Sequence, residues 1–144
     1  MKKTICLLAV VLMIASVAFA QKKAGIKAGD LAGLKGTWTG SLDFGMVGAQ
    51  AGSTPCTLEI LNDKVPVQAK LTLSNVPDFV ASGLGIQAGK NEMSLNDGQL
   101  TSQGTIFWTG AEKNMFEVSM RGDKKLSATY WFRTIRGSAS LNKK

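Results

Sequence analysis

From position 36 onward, apolar residues recur at every second position of the chain in short runs. Trp38, Leu42 and Phe44 alternate with polar neighbours such as Thr39 and Asp43. Alternation with a period of two is typical of a β-strand that buries one face and exposes the other to water. The pattern recurs along the chain, and the predicted inward-facing sets are Cys56, Leu58 and Ile60; Val65, Val67, Ala69, Leu71 and Leu73; Met93 and Leu95; Ile106 and Trp108; Phe116, Val118 and Met120; Leu126, Ala128, Tyr130 and Phe132; and a last strand over 138–142 that ends on Leu141.

The connections between these runs are mostly short and contain turn-forming residues. We predict turns at 62–64, 96–98, 110–114 and 121–125, of which the Asn-Asp-Gly sequence at 96–98 is the strongest hairpin signal. Local connections of this kind favour an antiparallel up-and-down meander of seven or eight strands. The predicted fold is therefore all-β, a single antiparallel β-barrel, because closure leaves no long strand edge exposed. A two-sheet β-sandwich is the alternative.

Two segments interrupt the alternation. Residues 45–55 are rich in Gly, Ala and Ser, and we expect them to form a loop. Residues 74–90 contain Pro77 and three glycines but keep apolar side chains such as Phe79 and Val80. Because an apolar irregular segment has to be covered, we expect it to be either a plug that closes one barrel end or a lid over its mouth.

The first twenty residues have the pattern of a signal peptide. A cationic start, Met1-Lys2-Lys3, precedes an apolar run from Ile5 to Ala15, and Ala18-Phe19-Ala20 provides a small-x-small cleavage site. We therefore predict that residues 1–20 are removed, that 21–29 form a mobile basic arm, and that 30–144 form the barrel domain. The protein is expected to be exported, to the periplasm or the extracellular medium. A stable membrane anchor is not expected, since Cys6 does not follow the cleavage site.

The formal net charge of +7 is concentrated at the two ends of the chain. Seven of the seventeen cationic residues lie in the signal peptide, in the arm or at the C-terminus, which leaves ten against the ten acidic residues. A protein that follows a phosphate backbone needs a dense basic face. The neutral body therefore argues against a nucleic-acid partner.

The absence of histidine restricts the possible chemistry. It removes the commonest general base and the commonest metal ligand together. A Ser-His-Asp site, a Cys-His site and a Cys/His zinc site are thereby excluded. The carboxylates show no spacing that indicates a facing pair. We predict no catalytic residues, no metal and no cofactor, and an enzyme without histidine is only the third hypothesis.

Cys56 is the only thiol left once the predicted signal peptide and its Cys6 are removed. It shares the inward parity of Leu58, so we expect a small buried hydrophobe with a structural role. An intermolecular disulfide or a reactive thiol is the alternative.

The sequence Leu34-Lys35-Gly36-Thr37-Trp38-Thr39-Gly40-Ser41-Leu42 resembles the Gly-x-Trp opening of calycin barrels, which include lipocalins, fatty-acid-binding proteins and avidin-like proteins. The resemblance implies a short helical turn that ends at Gly36 and a Trp38 that plugs one barrel end. It also implies a cationic residue over that ring, for which Arg133 and Arg136 are the candidates. By analogy, it implies ligand binding inside the barrel.

Five aromatic residues can face one interior. They are Trp38, Trp108, Phe116, Tyr130 and Phe132. One interpretation is an ordinary core, because aromatic side chains dominate core burial. The other is a cavity for a small apolar or amphipathic ligand, with Tyr130 as its polar group.

Phe107, Trp131 and Ile135 have the opposite parity. They predict an outward aromatic patch that serves as a partner surface, unless the inner face is assigned one residue out of register. We therefore hypothesise an exported ligand-binding protein. The alternative is a protein-binding or inhibitory module that uses this patch and the glycine-rich loops. The sequence does not predict the oligomeric state or the identity of the ligand.

Overall fold

The computed structural model describes residues 25–46, 51–84, 86–110, 114–132 and 135–144. The predicted signal peptide, the start of the predicted arm and Arg133 lie outside the described residues. Of Phe132, only the backbone is described.

Eight antiparallel strands form a closed barrel in the order in which they occur along the chain. Strand β8 pairs with β1 and closes the sheet, so the fold is a single up-and-down barrel, as predicted, and not a sandwich. The strands are β1 (Gly36–Met46), β2 (Ala51–Ile60), β3 (Val67–Val76), β4 (Gly89–Leu100), β5 (Thr105–Thr109), β6 (Met115–Gly122), β7 (Lys125–Phe132) and β8 (Ile135–Lys143).

The alternation in the sequence corresponds to the inside and outside of this barrel. In β1, Trp38, Leu42 and Phe44 are buried, whereas Ser41 and Asp43 are exposed. The register preserves this division, since Leu42 lies opposite both Thr54 of β2 and Ala139 of β8, which are also buried. The core is therefore the barrel interior, and it has the predicted parity except at Val65, which precedes β3 and is 44% exposed.

Thr54 is a buried polar side chain in this apolar interior. Its hydroxyl donates a hydrogen bond to the carbonyl oxygen of Ser74, in the neighbouring strand β3. The register of these two strands extends from Ile60 only as far as Cys56 opposite Leu73. The Thr54 side chain therefore supplies a bond between the strands beyond their regular pairing.

The hairpin predicted at 96–98 is wrong. Strand β4 continues through these residues to Leu100, and they form a bulge between the pairs Ala69–Leu95 and Val67–Gly98. The chain turns instead at 101–104, where the Gly104 N–H donates to the Thr101 carbonyl oxygen over 3.0 Å. Tertiary packing explains the glycine, because a Cβ atom at position 98 would lie 2.6 Å from the Val67 carbonyl oxygen.

The two interrupted segments are more regular than expected. Strands β1 and β2 extend into the predicted loop at 45–55 and leave only 47–50, which lie outside the described residues. In the segment after β3, a helix, α2 (Asp78–Leu84), buries Val80 and Ala81 in the core. The Phe79 side chain packs closely over Gly52 of β2. The segment thus covers one end of the barrel, which corresponds to the predicted plug.

The other end is covered by a 3₁₀ turn (Ala28–Asp30) that continues into a helical turn, α1 (Leu31–Leu34). Trp38 is completely buried beneath it, and its indole N–H donates to the Leu34 carbonyl oxygen over 2.8 Å. Gly36 links this turn to β1 with a φ of 120°, a conformation that favours glycine.

The cation over the Trp38 ring is Lys143. Its ammonium lies 5.6 Å from the ring centroid and donates to the Gly33 carbonyl oxygen over 2.5 Å. The prediction of Arg136 for this role is wrong, because Arg136 is exposed and pairs with Gly45, seven positions along β1 from Trp38. Its alternative, Arg133, falls outside the described residues.

The packed structure also begins before the predicted boundary at Asp30. Ile26 is buried, and its N–H donates to the Gly104 carbonyl oxygen over 2.8 Å. The last residues of the predicted arm therefore belong to the barrel domain.

Candidate functional site

A cavity of about 220 Å³ lies at the wall of the barrel between β4 and β6. It reaches inward to two buried side chains, Leu71 and Tyr130. The remaining lining residues are Met93, Ser94 and Leu95 of β4, Gly110 and Asn114 of the β5–β6 connection, and Met115 and Phe116 of β6.

The cavity lies where regular strand pairing ends. Within the described residues, β4 and β5 pair only at Gln99–Phe107 and Leu100–Ile106. On its other side, β4 pairs with β3 along most of its length, as far as Gly89. The short strand β5 thus leaves the first half of β4 without a paired neighbour on this side among the described residues, and the cavity occupies the resulting seam.

Among the described residues, the lining is mostly apolar and contains no charged side chain. Burial raises the pKa of Tyr130 to about 12, so its phenol is neutral at physiological pH. The Tyr130 ring is fixed by an edge-to-face contact with Phe44, with ring centroids 6.2 Å apart. A charged ligand would lose its hydration here without gaining a counter-ion, so the cavity suits an uncharged molecule.

Asn114 is the unusual polar residue of the lining. Its side-chain Oδ1 is buried and has no hydrogen-bond partner. Its backbone is held in place, because the Gly110 N–H donates to the Asn114 carbonyl oxygen over 2.7 Å. Buried polar groups are normally hydrogen-bonded, so an orphan acceptor in a cavity indicates a place for a ligand or a water molecule.

The predicted ligand residues divide between the cavity and the core. Phe116 and Tyr130 line the cavity. Trp38 and Trp108 do not, and both indole N–H groups are satisfied in the core, that of Trp108 by the Val67 carbonyl oxygen over 2.8 Å. These two tryptophans therefore have the ordinary core role that was the alternative. The side chain of Phe132 lies outside what the structure describes.

The predicted outward patch is only partly correct. Phe107 and Trp131 are half-buried on the outer parity. Ile135 is wrong: it pairs with Phe132 across the β7–β8 hairpin and is only 3% exposed. The inward parity restarts at the first residue of β8. Met115 lies directly opposite Trp131 and is 37% exposed, so it replaces Ile135 as the third residue of this surface.

Cys56 is buried, as its parity predicted, and is 4% exposed. Burial, reinforced by the carboxylate of Asp43, raises the pKa of its thiol to about 11. The reactive form of cysteine is the thiolate. The environment of Cys56 is therefore that of a structural core residue.

Most of the lining was not recognised as a site from the sequence. The parity of β4 placed Met93 and Leu95 inside the barrel, and a signal for them was therefore present. Asn114 was read only as part of a turn. No local pattern marks its side chain as buried, because its surroundings come from strands distant in sequence.

In the described part of the chain, no group of three or more His, Cys, Asp or Glu side chains is placed to hold a metal ion. None of the helices in the same residues is long and apolar enough to cross a membrane.

The chain matches no protein-family model, no curated protein and no solved structure at a significant level. Its class is therefore defined by its own fold and cavity. It is an eight-stranded antiparallel barrel with a small cavity in one wall, lined mostly by apolar side chains among the described residues.

Proposed function

We propose that the protein is an exported binding protein that holds one small apolar or amphipathic molecule in the cavity between β4 and β6. The observation that carries this proposal is a largely apolar cavity of about 220 Å³ that reaches from the barrel wall to the buried side chains of Leu71 and Tyr130. Protein interiors are normally close-packed, and voids larger than a water molecule are few. A cavity that combines apolar walls with a few polar groups is typical of a ligand site.

The size of the cavity limits the ligand. An apolar protein cavity of about 150 Å³ accommodates benzene. A volume of about 220 Å³ therefore suits a molecule with one or two rings, or a short chain of similar size. Leu71, Leu95 and Phe116 offer apolar contacts to such a body.

Export and the calycin-like character of the barrel support the same proposal. The signal-peptide pattern of residues 1–20 supports export to the periplasm or the medium. The closed eight-stranded barrel, with α1 over Trp38 and Lys143 above the ring, is compatible with a calycin-like fold. Barrels of about eight strands either fill with side chains or hold one small ligand.

Native mass spectrometry of the protein purified from its own source tests both export and ligand binding. We expect a mature chain that begins at Gln21 and carries one bound small molecule, released on denaturation. An intact N-terminus in the purified protein would contradict export. An empty protein would argue against a tightly held ligand.

Fluorescence titration with naphthalene tests the cavity directly. We expect saturable binding that is lost in Leu95→Phe, because the larger side chain fills the space. Leu100→Phe is the matched control, since Leu100 is a partly buried residue of the same strand outside the lining. Equal binding by the two variants would place the probe elsewhere on the protein.

A second candidate function rests on the outer surface formed by Phe107, Met115 and Trp131. We propose it as a protein-binding surface, because Met115 is 37% exposed beside the half-buried Trp131. Adjacent exposed apolar side chains of this kind are found at partner surfaces. Trp131→Ser should leave the fold intact, by near-ultraviolet circular dichroism, and abolish capture of a partner from the native source. Unfolding of this variant would show instead that Trp131 is structural.

A further inference from the structure

The proposed cavity contains a buried polar atom that receives no hydrogen bond from the protein. Among the described residues, Asn114 Oδ1 is the buried side-chain polar atom without a hydrogen-bond partner. It belongs to the same lining as Leu71, Leu95 and Phe116, and neither of the hydroxyl groups in that lining, those of Ser94 and Tyr130, donates a hydrogen bond to it. A buried acceptor is most strongly stabilised by a donor that reaches it within the same low-dielectric space.

The position of this acceptor is set by the barrel. Asn114 immediately precedes β6, and the hydrogen bond from the Gly110 N–H anchors its backbone. A Cβ atom at Gly110 would lie 3.5 Å from the Asn114 Cβ, so the two sides of the connection are in close contact. The backbone that carries the acceptor is thus held in place, which reduces the conformational entropy lost when a ligand binds.

We infer that Asn114 determines ligand specificity: it selects, for the proposed cavity, uncharged amphipathic molecules that donate a hydrogen bond from a hydroxyl or an amide N–H at their polar end. The apolar body of the ligand lies against Leu71, Leu95 and Phe116, and the donor points to Asn114 Oδ1. This inference rests on the proposed binding function and goes further, since it names the chemical class of the ligand. A site built around a polar partner discriminates strongly against an analogue that lacks the matching group.

Three probes of nearly equal shape test it. 2-Naphthol donates a hydrogen bond, naphthalene neither donates nor accepts one, and 2-methoxynaphthalene only accepts. We expect the wild-type protein to bind 2-naphthol about tenfold more tightly than either analogue, as one additional hydrogen bond in a buried site would give. In ¹⁵N-labelled protein, the Asn114 side-chain amide resonances should shift with 2-naphthol and not with naphthalene.

Asn114→Leu removes the acceptor and preserves the approximate size of the side chain. We expect it to reduce the preference for 2-naphthol over naphthalene at least fivefold while binding naphthalene as well as the wild type or better. Asn114→Ala is the second variant if the leucine disturbs folding. Asn142→Leu, at an exposed position of β8, is the matched control and should keep the wild-type preference.

The outcomes separate this inference from the function on which it rests. If none of the probes binds the wild-type protein, the proposed function is wrong, and the specificity fails with it. If naphthalene binds in the cavity but 2-naphthol shows no advantage, the function stands and the role of Asn114 is overturned. A preference for 2-methoxynaphthalene, or a 2-naphthol preference that survives both Asn114 variants, also overturns it.

Discussion

The indole ring of Trp108 packs directly against the backbone of Gly98. A Cβ atom at position 98 would lie 2.7 Å from Trp108 Cε2 and 2.6 Å from the Val67 carbonyl oxygen. The indole N–H donates to that same carbonyl oxygen over 2.8 Å. Glycine at 98 therefore lets the Trp108 side chain, on β5, cross β4 and form a hydrogen bond with β3.

We predict that Gly98→Ala destabilises the fold by about 2–3 kcal/mol, because the added methyl group overpacks the interior and displaces the indole. Urea unfolding followed by tryptophan fluorescence measures the change. Gly45→Ala is the control: its strand position is exposed and a methyl group added there would meet no atom within 4 Å, so a change within about 0.5 kcal/mol is expected. Equal effects of the two substitutions would show that the contact with Trp108 is unimportant.

Lys143 holds α1 over the end of the barrel at which Trp38 is buried. Replacement by methionine keeps much of the aliphatic stem but removes the charge over Trp38 and the bond to the Gly33 carbonyl oxygen. We expect Lys143→Met to cost about 1 kcal/mol of unfolding free energy. Lys144→Met, at the exposed next residue, should cost nothing measurable by the same urea titration. If the Lys143→Met protein is as stable as the wild type, the contacts of Lys143 do not stabilise the fold.

The Thr54 hydroxyl supplies a buried hydrogen bond between β2 and β3. Thr54→Val has nearly the same shape but leaves the Ser74 carbonyl oxygen without this donor, so a loss of about 1–3 kcal/mol is predicted. Thr54→Ser should recover part of that loss, since it restores the hydroxyl. Thr57→Val, at an outer position of the same strand, serves as the control in thermal unfolding. The interpretation fails if the Val and Ser variants at position 54 are equally stable.

Alkaline pH should lower the free energy of unfolding, because Cys56 and Tyr130 lose their protons more readily in the unfolded chain than in the folded one. Burial raises the pKa of Cys56 from 9.0 to about 11 and that of Tyr130 from 10.0 to about 12. Above the unfolded-state pKa, the unfolded chain releases a proton that the folded chain retains, so stability falls as pH rises. The fall is at most about 1.4 kcal/mol per pH unit for each group.

Urea unfolding at a series of pH values measures this dependence. Relative to wild type, Cys56→Ala should lose the part of the slope between pH 9 and about 11. Tyr130→Phe should lose the part between pH 10 and about 12. The titration of lysine residues affects all three proteins alike and cancels in the comparison. Parallel curves for wild type and Cys56→Ala would contradict the burial of the thiol.

The parity of side chains within a strand could be predicted from the sequence. The pairing and packing between strands could not. The inward set Leu126, Ala128 and Tyr130 is correct because a period of two follows from the backbone of any strand. The prediction for Ile135 is wrong because it carries the parity of β7 across a turn, whereas the pairing of Ile135 with Phe132 sets the inner face of β8. The hairpin predicted for Asn-Asp-Gly at 96–98 is wrong for a related reason. Its glycine is needed for the close packing of Trp108 and not for a turn.

The candidate site shows the same division. Phe116 and Tyr130 could be placed inside the barrel from their parity alone. The cavity lies where the regular pairing of β4 with the short strand β5 stops, and no local pattern specifies that point. Asn114 becomes informative only when strands distant in sequence surround it and leave its Oδ1 without a partner.

The sequence by itself thus determined an all-β chain of antiparallel strands, the inward face of most strands and the burial of Cys56, and it favoured a barrel over a sandwich. These properties follow from local alternation and short turns, which act over a few residues. Only the tertiary structure decided that Lys143 covers Trp38, that α2 covers the opposite end, and that a cavity lies between β4 and β6. Those features depend on register and close packing between distant segments, and these are settled only when the whole sheet closes.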